Sequence, residues 1–539
     1  MAFRFLFVTF FFIAAYLGLG YQLYYLQIVH SEDAVRRVAV KDSLVQAEEL
    51  RRGQIILVDR DGNNLITAYN RDYPELFLAP NEIKDAKQTA AALSPIVGMG
   101  ADELEKMIVA DPTSSFRPLL PKPTATQINA IRDAGIKGVH IKFRQYRTYP
   151  FGKSASHVVG FAGLNADAAI PKGLYGLEKL KNTELTRGEQ IRLTIDRNLQ
   201  VHVEQILAAL MKDHEAAGGT IMITDPMTGK IMALANAPDF DPNLYKDYPV
   251  KNFLNPAVQL QYEPGSVFKP LTMAAGIDSG AFTPDTTFVD TGFVTLNGKT
   301  ITNWDKNAYG KITMTNVIEH SVNTGAVFAE QKIGNQTFYE YLTRFGLGQA
   351  TGMDLPDEIN GSLRNLENKN ARQIDFATAS YGQGTAVTPV QLVAAFGALA
   401  NGGVLMRPYV IEDTKPKMIR RVISEDTAKK VVGMMESAVE INRMAAIPGY
   451  RIAGKTGTAF VPDLIRGGYY NDQFIHTFIG FGPVSNPKFL IYMKLERPQI
   501  GDLAGRTVVP VFRDVAEFVL NYYSIPPDKL ATSTTPKIP

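Results

Sequence analysis

The chain has 539 residues, 45% of them hydrophobic and 20% charged, with a formal net charge of +2. This is ordinary globular composition with room for two or three domains, and the near-neutral balance carries no electrostatic footprint for nucleic acid. The absence of cysteine excludes disulfides, thiolate metal sites and a lipid-modified cysteine, and the seven histidines show no paired spacing, so no metal or cofactor is expected.

No residue between Arg4 and His30 is charged, and Phe5 to Leu23 is dense in Phe, Leu, Ile and Val. Such a run can cross about 30 Å of hydrocarbon, with Tyr21, Tyr24 and Tyr25 at the level of an interfacial aromatic belt. The apolar run continues past Gly18-Leu19-Gly20 through Leu23, Leu26 and Ile28, which favours an uncleaved anchor over residues 1–30 rather than a removed signal peptide. The rest of the chain is then expected outside the cytoplasmic membrane.

Residues 31–50 read as a polar helix. Ile55 to Val58 is an expected strand, with Asp61-Gly62-Asn63 as its hairpin turn. Residues 79–121 look helical with loops, and Gly173-Leu174-Tyr175-Gly176-Leu177-Glu178 is a glycine-punctuated loop entering a short helix. Leu193-Thr194-Ile195-Asp196 reads as a strand whose last residue caps a helix over 197–212. A boundary near Ala216-Ala217-Gly218-Gly219 closes this region at 31–215.

Strands over 220–224 and 230–235 flank the turn Asp225-Pro226-Met227-Thr228-Gly229. Lys311 to Ile318 reads as the opening of a helix, Ala326 to Ile333 as another. Helices follow over 389–400, stopped by Gly402-Gly403, and over 426–439. Strands over 450–459, 476–482 and 488–495 come late, before a closing helix over 511–522. A sheet drawing strands from both ends of a domain, with helices between, is an α+β arrangement, placed here at 216–524. The tail 525–539, rich in Pro, Ser and Thr, is expected to be disordered.

Three short motifs carry chemistry. Glu263-Pro264-Gly265 runs into Ser266-Val267-Phe268-Lys269 and an apolar segment, the signature of a helix start. There Ser266 and Lys269, three residues apart, share a face. A second S-x-x-K, Ser485-Asn486-Pro487-Lys488, is broken by proline and reads as a solvated loop. Ser321-Val322-Asn323 falls at the junction of two expected helices. Lys455-Thr456-Gly457-Thr458 lies on an expected strand whose glycines, Gly454 and Gly457, suggest a close approach by ligand or backbone.

Together these residues supply a serine acyl-transfer site without histidine. Ser266 is the candidate nucleophile and Lys269 its general base, which requires burial and a neighbouring cation, Lys455, to bring an ordinary lysine pKa down. Ser321 is the candidate proton relay. Asn323 would bond a substrate amide or position Lys269. Lys455, Thr456, Gly457 and Thr458 would hold a terminal carboxylate, and the backbone N–H groups of Ser266 and Thr458 are candidates for the oxyanion hole. His320 and His476 lie near the motifs and are expected to be structural.

With these motifs in this order, the chain resembles a class B penicillin-binding protein, a membrane-anchored peptidoglycan D,D-transpeptidase. The resemblance also rests on Arg52-Gly53-x-Ile55, Gly176-Leu177-Glu178, Leu193-Thr194-Ile195-Asp196, Tyr262-Glu263-Pro264-Gly265 and Tyr381-Gly382-Gln383-Gly384 with Thr388-Pro389. It implies a single transmembrane helix, an elongated pedestal or dimerisation-like domain over 31–215, and a penicillin-binding transpeptidase domain with a central antiparallel sheet flanked by helices. It implies stem peptides ending in D-Ala-D-Ala as substrates and β-lactams as covalent ligands of Ser266. It further implies, as partners, a SEDS-type (FtsW-like) glycosyltransferase and other division proteins. Asn323 and the Tyr-Gly-Gln-Gly motif resemble the cell-division (FtsI-like) branch, with an elongation-type enzyme as the alternative. A β-lactamase would need a deacylating Glu in an E-x-x-L-N motif, which the segment from Ser321 to Lys455 lacks. A D,D-carboxypeptidase or a scaffold that activates a glycan polymerase remain readings of the same residues.

Overall fold

The computed structural model describes residues 10, 16–21, 52–163, 171–463, 465–501 and 503–529. The helix expected over 31–50 and most of the apolar run at the N-terminus lie outside these residues. Among the described residues no helix is long and apolar enough to cross a membrane.

The N-terminal part is built on a twisted sheet. Strand β1 (Ile55–Val58) pairs antiparallel with the long β2 (Asn64–Leu78), through the turn at Gly62, whose φ is +82°. Helices α1 (Ala86–Val97) and α2 (Ala101–Val109) follow, so the expectation of helix over 79–121 holds as far as residue 109. The segment then ends in a strand, β3 (Arg117–Pro121), paired with β2. Strand β4 (Val139–Thr148) covers ten residues of β2, and β5 (Ile191–Leu193) pairs parallel with β1. Leu76, Leu78, Leu93, Leu104 and Ile131 close a small core beneath this sheet.

Charge organises the same region. Helix α3 (Gly176–Leu180) carries Glu178, which is wholly buried between two arginines. Arg52 Nε donates to its Oε2 at 2.7 Å and Arg147 Nε to its Oε1 at 2.6 Å. The Arg-Gly and Gly-Leu-Glu motifs, 126 residues apart, are therefore two halves of one buried ion network. Gly53 has no room for a side chain, since a Cβ there would lie 1.8 Å from the Glu189 carbonyl oxygen.

Asp196 caps α4 (Arg197–Asp213), accepting from the N–H groups of Asn198 and Leu199. The apolar residues of α4, Leu199, Val203, Leu207 and Leu210, recur at helical spacing and pack on a second sheet. That sheet is antiparallel throughout, in the order β8–β9–β10–β6–β7. Its strands are β6 (Gly218–Thr224), β7 (Ile231–Ala237), β8 (Ala453–Pro462), β9 (Tyr469–Gly482) and β10 (Phe489–Glu496). The closing helix α5 (Val508–Tyr522) lies beside α4, with Phe512, Val515, Ala516 and Val519 in the shared core. The chain thus combines mixed sheets and helices in an α+β fold, and β8 is an edge strand.

Two expectations are corrected. The segment 311–318 is not all helix: Gly310–Thr313 is a strand paired with Thr287–Asp290, and the helix starts at Met314, capped by Thr313. The tail is not free from residue 525, because Asp528 accepts from the N–H groups of Arg451 and Ser485 and Lys529 pairs with Glu440 at 2.7 Å. Residues 530–539 lie outside those described.

Candidate active site

Ser266 sits in a single 3-10 turn, Gly265–Phe268, which leads into the α-helix Lys269–Asp278. Gly265 has φ +63°, a conformation glycine adopts without steric cost, and its N–H donates to the Gly382 carbonyl at 3.0 Å. Gly382 allows this approach, as a Cβ there would stand 2.3 Å from the Gly265 oxygen. The turn also presses on β8, where a Cβ on Gly457 would lie 2.9 Å from the Pro264 oxygen and 3.0 Å from Val267 Cγ1. The glycines of the Tyr-Gly-Gln-Gly and Lys-Thr-Gly motifs thus wedge the nucleophile turn from two sides.

Ser321 occupies the three-residue junction between the helices Met314–Glu319 and Asn323–Ile333, with φ +56°. That left-handed conformation is uncommon for a residue with a side chain. It lets both the carbonyl and the hydroxyl of Ser321 meet Lys269. The Lys269 Nζ, fully buried, donates to Ser321 O at 2.5 Å, Ser321 Oγ at 3.2 Å and Asn323 Oδ1 at 2.8 Å. Lys455, on β8 opposite Ile479, reaches the same hydroxyl from the other side, Nζ to Oγ 2.9 Å, and also bonds the Thr456 carbonyl.

The electrostatics follow from burial. Desolvation, and then the adjacent Lys455, hold the Lys269 amine well below an ordinary lysine. Burial alone lowers Lys455 to about 7. Both amines meet Ser321 Oγ, so a proton on one disfavours a proton on the other. Ser266 is not among the hydrogen-bond partners of Lys269; contacts of this kind often tighten only when substrate arrives.

Thr458 lies beside the nucleophile turn, and its Oγ1 accepts from the Ala504 N–H at 3.3 Å. Among the described residues β8 is an edge strand of its sheet, the kind of edge an extended ligand can join. The second S-x-x-K is apart from all this: Ser485 is exposed in the turn between β9 and β10. His476 is buried against Thr507 Oγ1 at 2.9 Å, and His320 stacks on Tyr309 with ring centroids 5.1 Å apart.

The sequence reading missed the support of the Ser-x-Asn junction. Asn303, 1% exposed, accepts from the N–H groups of Asn323 and Thr324 at 3.0 and 3.2 Å and donates to Asp290. Thr324 Oγ1 donates to Asp290 Oδ1 at 2.6 Å. Asn323 Nδ2 bonds the Thr302 carbonyl, so its amide is oriented with Oδ1 toward Lys269. No local pattern signals this network, because its members are some 20 residues apart along the chain.

Comparison with known proteins finds relatives over most of the chain. Residues 219–517 match the family model of the penicillin binding protein transpeptidase domain, and residues 48–190 match that of the penicillin-binding protein dimerisation domain. The chain is 30% identical to stage V sporulation protein D of Bacillus subtilis, over 98% of this chain and 86% of that protein. It is 28% identical to the peptidoglycan D,D-transpeptidase FtsI of Escherichia coli, over 94% of this chain and 90% of that one. Among solved structures, a peptidoglycan synthetase from Bifidobacterium adolescentis superposes with a TM-score of 0.68 at 25% identity, covering 90% of this chain and 97% of the other. Penicillin binding protein 2X from Streptococcus thermophilus shares the fold with a TM-score of 0.71 at 21% identity, covering 87% and 79%.

Proposed function

The chain belongs to the class B penicillin-binding proteins, of FtsI-like type, and we propose that it is a serine D,D-transpeptidase that cross-links peptidoglycan stem peptides in septal wall synthesis. The observation that carries the reading is the meeting of Lys269, one turn after Ser266, with Ser321 and Lys455 at one hydroxyl.

The donor peptide lies along the open edge of β8 with its terminal carboxylate toward Lys455, Thr456 and Thr458. Ser266 Oγ attacks the carbonyl of the penultimate D-Ala and passes its proton to neutral Lys269. The backbone N–H groups of Ser266 and Thr458 take up the charge that develops on the carbonyl oxygen. As the C–N bond breaks, the leaving D-Ala amine takes a proton through Ser321, and the peptide remains as an ester on Ser266. An amine of a neighbouring strand then attacks that ester, an amide forms, and the proton returns to the Ser266 oxygen. A β-lactam enters by the same first step, but its opened ring stays attached.

The apolar run over residues 1–30 makes the protein a single-pass resident of the cytoplasmic membrane, with residues 31–524 on the extracytoplasmic side as pedestal and transpeptidase domains. An FtsW-like glycan polymerase and other division proteins are its partners in this reading. Labelling with a fluorescent penicillin tests the activity: the wild type takes label and Ser266→Ala takes none. An unlabelled wild type would contradict the enzymatic reading.

A further inference from the structure

One carboxylate borders the cleft without a cation to match it. Glu263 lies three residues before Ser266 and is partly buried. Its Oε2 accepts from the Tyr469 hydroxyl at 2.8 Å, the Gly384 backbone amide bonds the same carboxylate, and its charge acts on the Tyr381 hydroxyl. Burial raises its carboxyl pKa, and no lysine, arginine or histidine among the described residues offsets that.

Its place along β8 assigns it a ligand. Lys455 stands near one end of the strand. The nucleophile turn crosses the middle, where a Cβ on Gly265 would lie 3.0 Å from Ala459 Cβ. Pro462, at the far end, pairs with Tyr469. The cleft is therefore cationic at Lys455 and anionic at Glu263, with Ser266 between them. A donor peptide with its carboxylate toward Lys455 and its scissile carbonyl over Ser266 continues toward Phe460 and Tyr469. These rings, 40% and 39% exposed, lie 6.4 Å apart between centroids.

Cross-linking joins a donor to an amine on a neighbouring stem peptide. Neighbouring strands are chemically alike, so the donor carries such an amine as well. We propose that Glu263, with Tyr469 and Phe460, forms a subsite for the side-chain ammonium of the residue that precedes D-Ala-D-Ala in the donor peptide. The carboxylate takes the ammonium in a charge-assisted hydrogen bond, and the ring faces hold the methylene stem and attract the cation. This subsite rests on the transpeptidase reading.

The test uses two cephalosporins on the full-length protein in detergent. One carries Nα-acetyl-L-lysine on its 7-amino group, which places the lysine side chain where the donor's would lie; the other is the same molecule acetylated at the lysine side chain. The second-order acylation rate of the wild type is expected to be at least about tenfold higher for the free amine, the effect of one favourable charge pair. In Glu263→Gln that ratio falls to near one. A wild-type ratio near one, or an unchanged ratio in Glu263→Gln, overturns the proposal, and the wild-type comparison decides even if the variant does not fold. A wild type acylated by neither compound contradicts the transpeptidase reading itself, whereas acylation of both at equal rates removes only the subsite.

Discussion

Lys269 and Lys455 converge on one oxygen: their Nζ atoms lie 3.2 and 2.9 Å from Ser321 Oγ. Two ammonium groups so placed resist carrying two charges, and the one that protonates first keeps the other neutral. Removing Lys455 therefore raises the pKa of Lys269. In Lys455→Met the acid limb of the penicillin acylation rate is expected to move to higher pH, on top of a lower rate at every pH from the lost carboxylate anchor. A pH profile of acylation by stopped-flow or gel labelling checks this, and an unshifted acid limb counts against Lys269 as base.

A second buried charge sits behind the site. Glu330, on the Asn323–Ile333 helix, is fully buried, with Oε2 bonded to Gln373 at 2.8 Å and Oε1 without a partner among the described residues. Burial raises its carboxyl to about 7. Between the unfolded value near 4.5 and the folded value near 7, the folded protein holds the extra proton. Stability from this group is thus full below pH 4.5 and is lost as pH rises through 7, by on the order of 1–3 kcal/mol. Denaturant unfolding of Glu330→Gln should lack that decline; an identical pH dependence in both proteins would refute it.

Gly457 is required by close approach rather than by its own backbone angle. In Gly457→Ala the new methyl meets the Pro264 carbonyl and the Val267 side chain. Overpacking of this kind costs about 1–3 kcal/mol. Because the clash pushes on the turn that bears Ser266, acylation should slow as well as the melting temperature fall. Wild-type stability in the alanine variant would show that the turn and β8 are less tightly apposed.

Glu178 neutralises Arg52 and Arg147 at once. Truncating it strands two buried guanidinium groups, and Glu178→Ala should lose about 3–5 kcal/mol. Thermal unfolding of the full-length protein in detergent measures the loss. A change under about 1 kcal/mol would mean that water reaches the pair.

Much of this architecture is readable along the chain because its determinants are local. The Asp196 cap, the Gly62 turn and the helix bounded by Thr388-Pro389 and Gly402-Gly403 each depend on neighbours a few residues apart. The Ser-x-x-K pair is legible for the same reason, and the proline in the Ser485 copy marks it as a loop. What the sequence leaves hidden is set by distant partners. Gly310–Thr313 becomes a strand because Thr287–Asp290 lies beside it. Asp528 holds the start of the tail by bonding Arg451. Asn303 and Asp290 anchor the Ser-x-Asn junction from a separate hairpin region. The positive φ of Ser321 accompanies the bonds of its carbonyl and hydroxyl to Lys269, 52 residues away along the chain.

The central claim is that Ser266 forms the acyl-enzyme. Intact-mass and peptide mass spectrometry of the penicillin-treated protein tests it most directly. One penicilloyl adduct per chain is expected, located on the peptide that contains Ser266 and absent from Ser266→Ala. An adduct on Ser321 or Ser485, or one that persists in the alanine variant, would contradict the account.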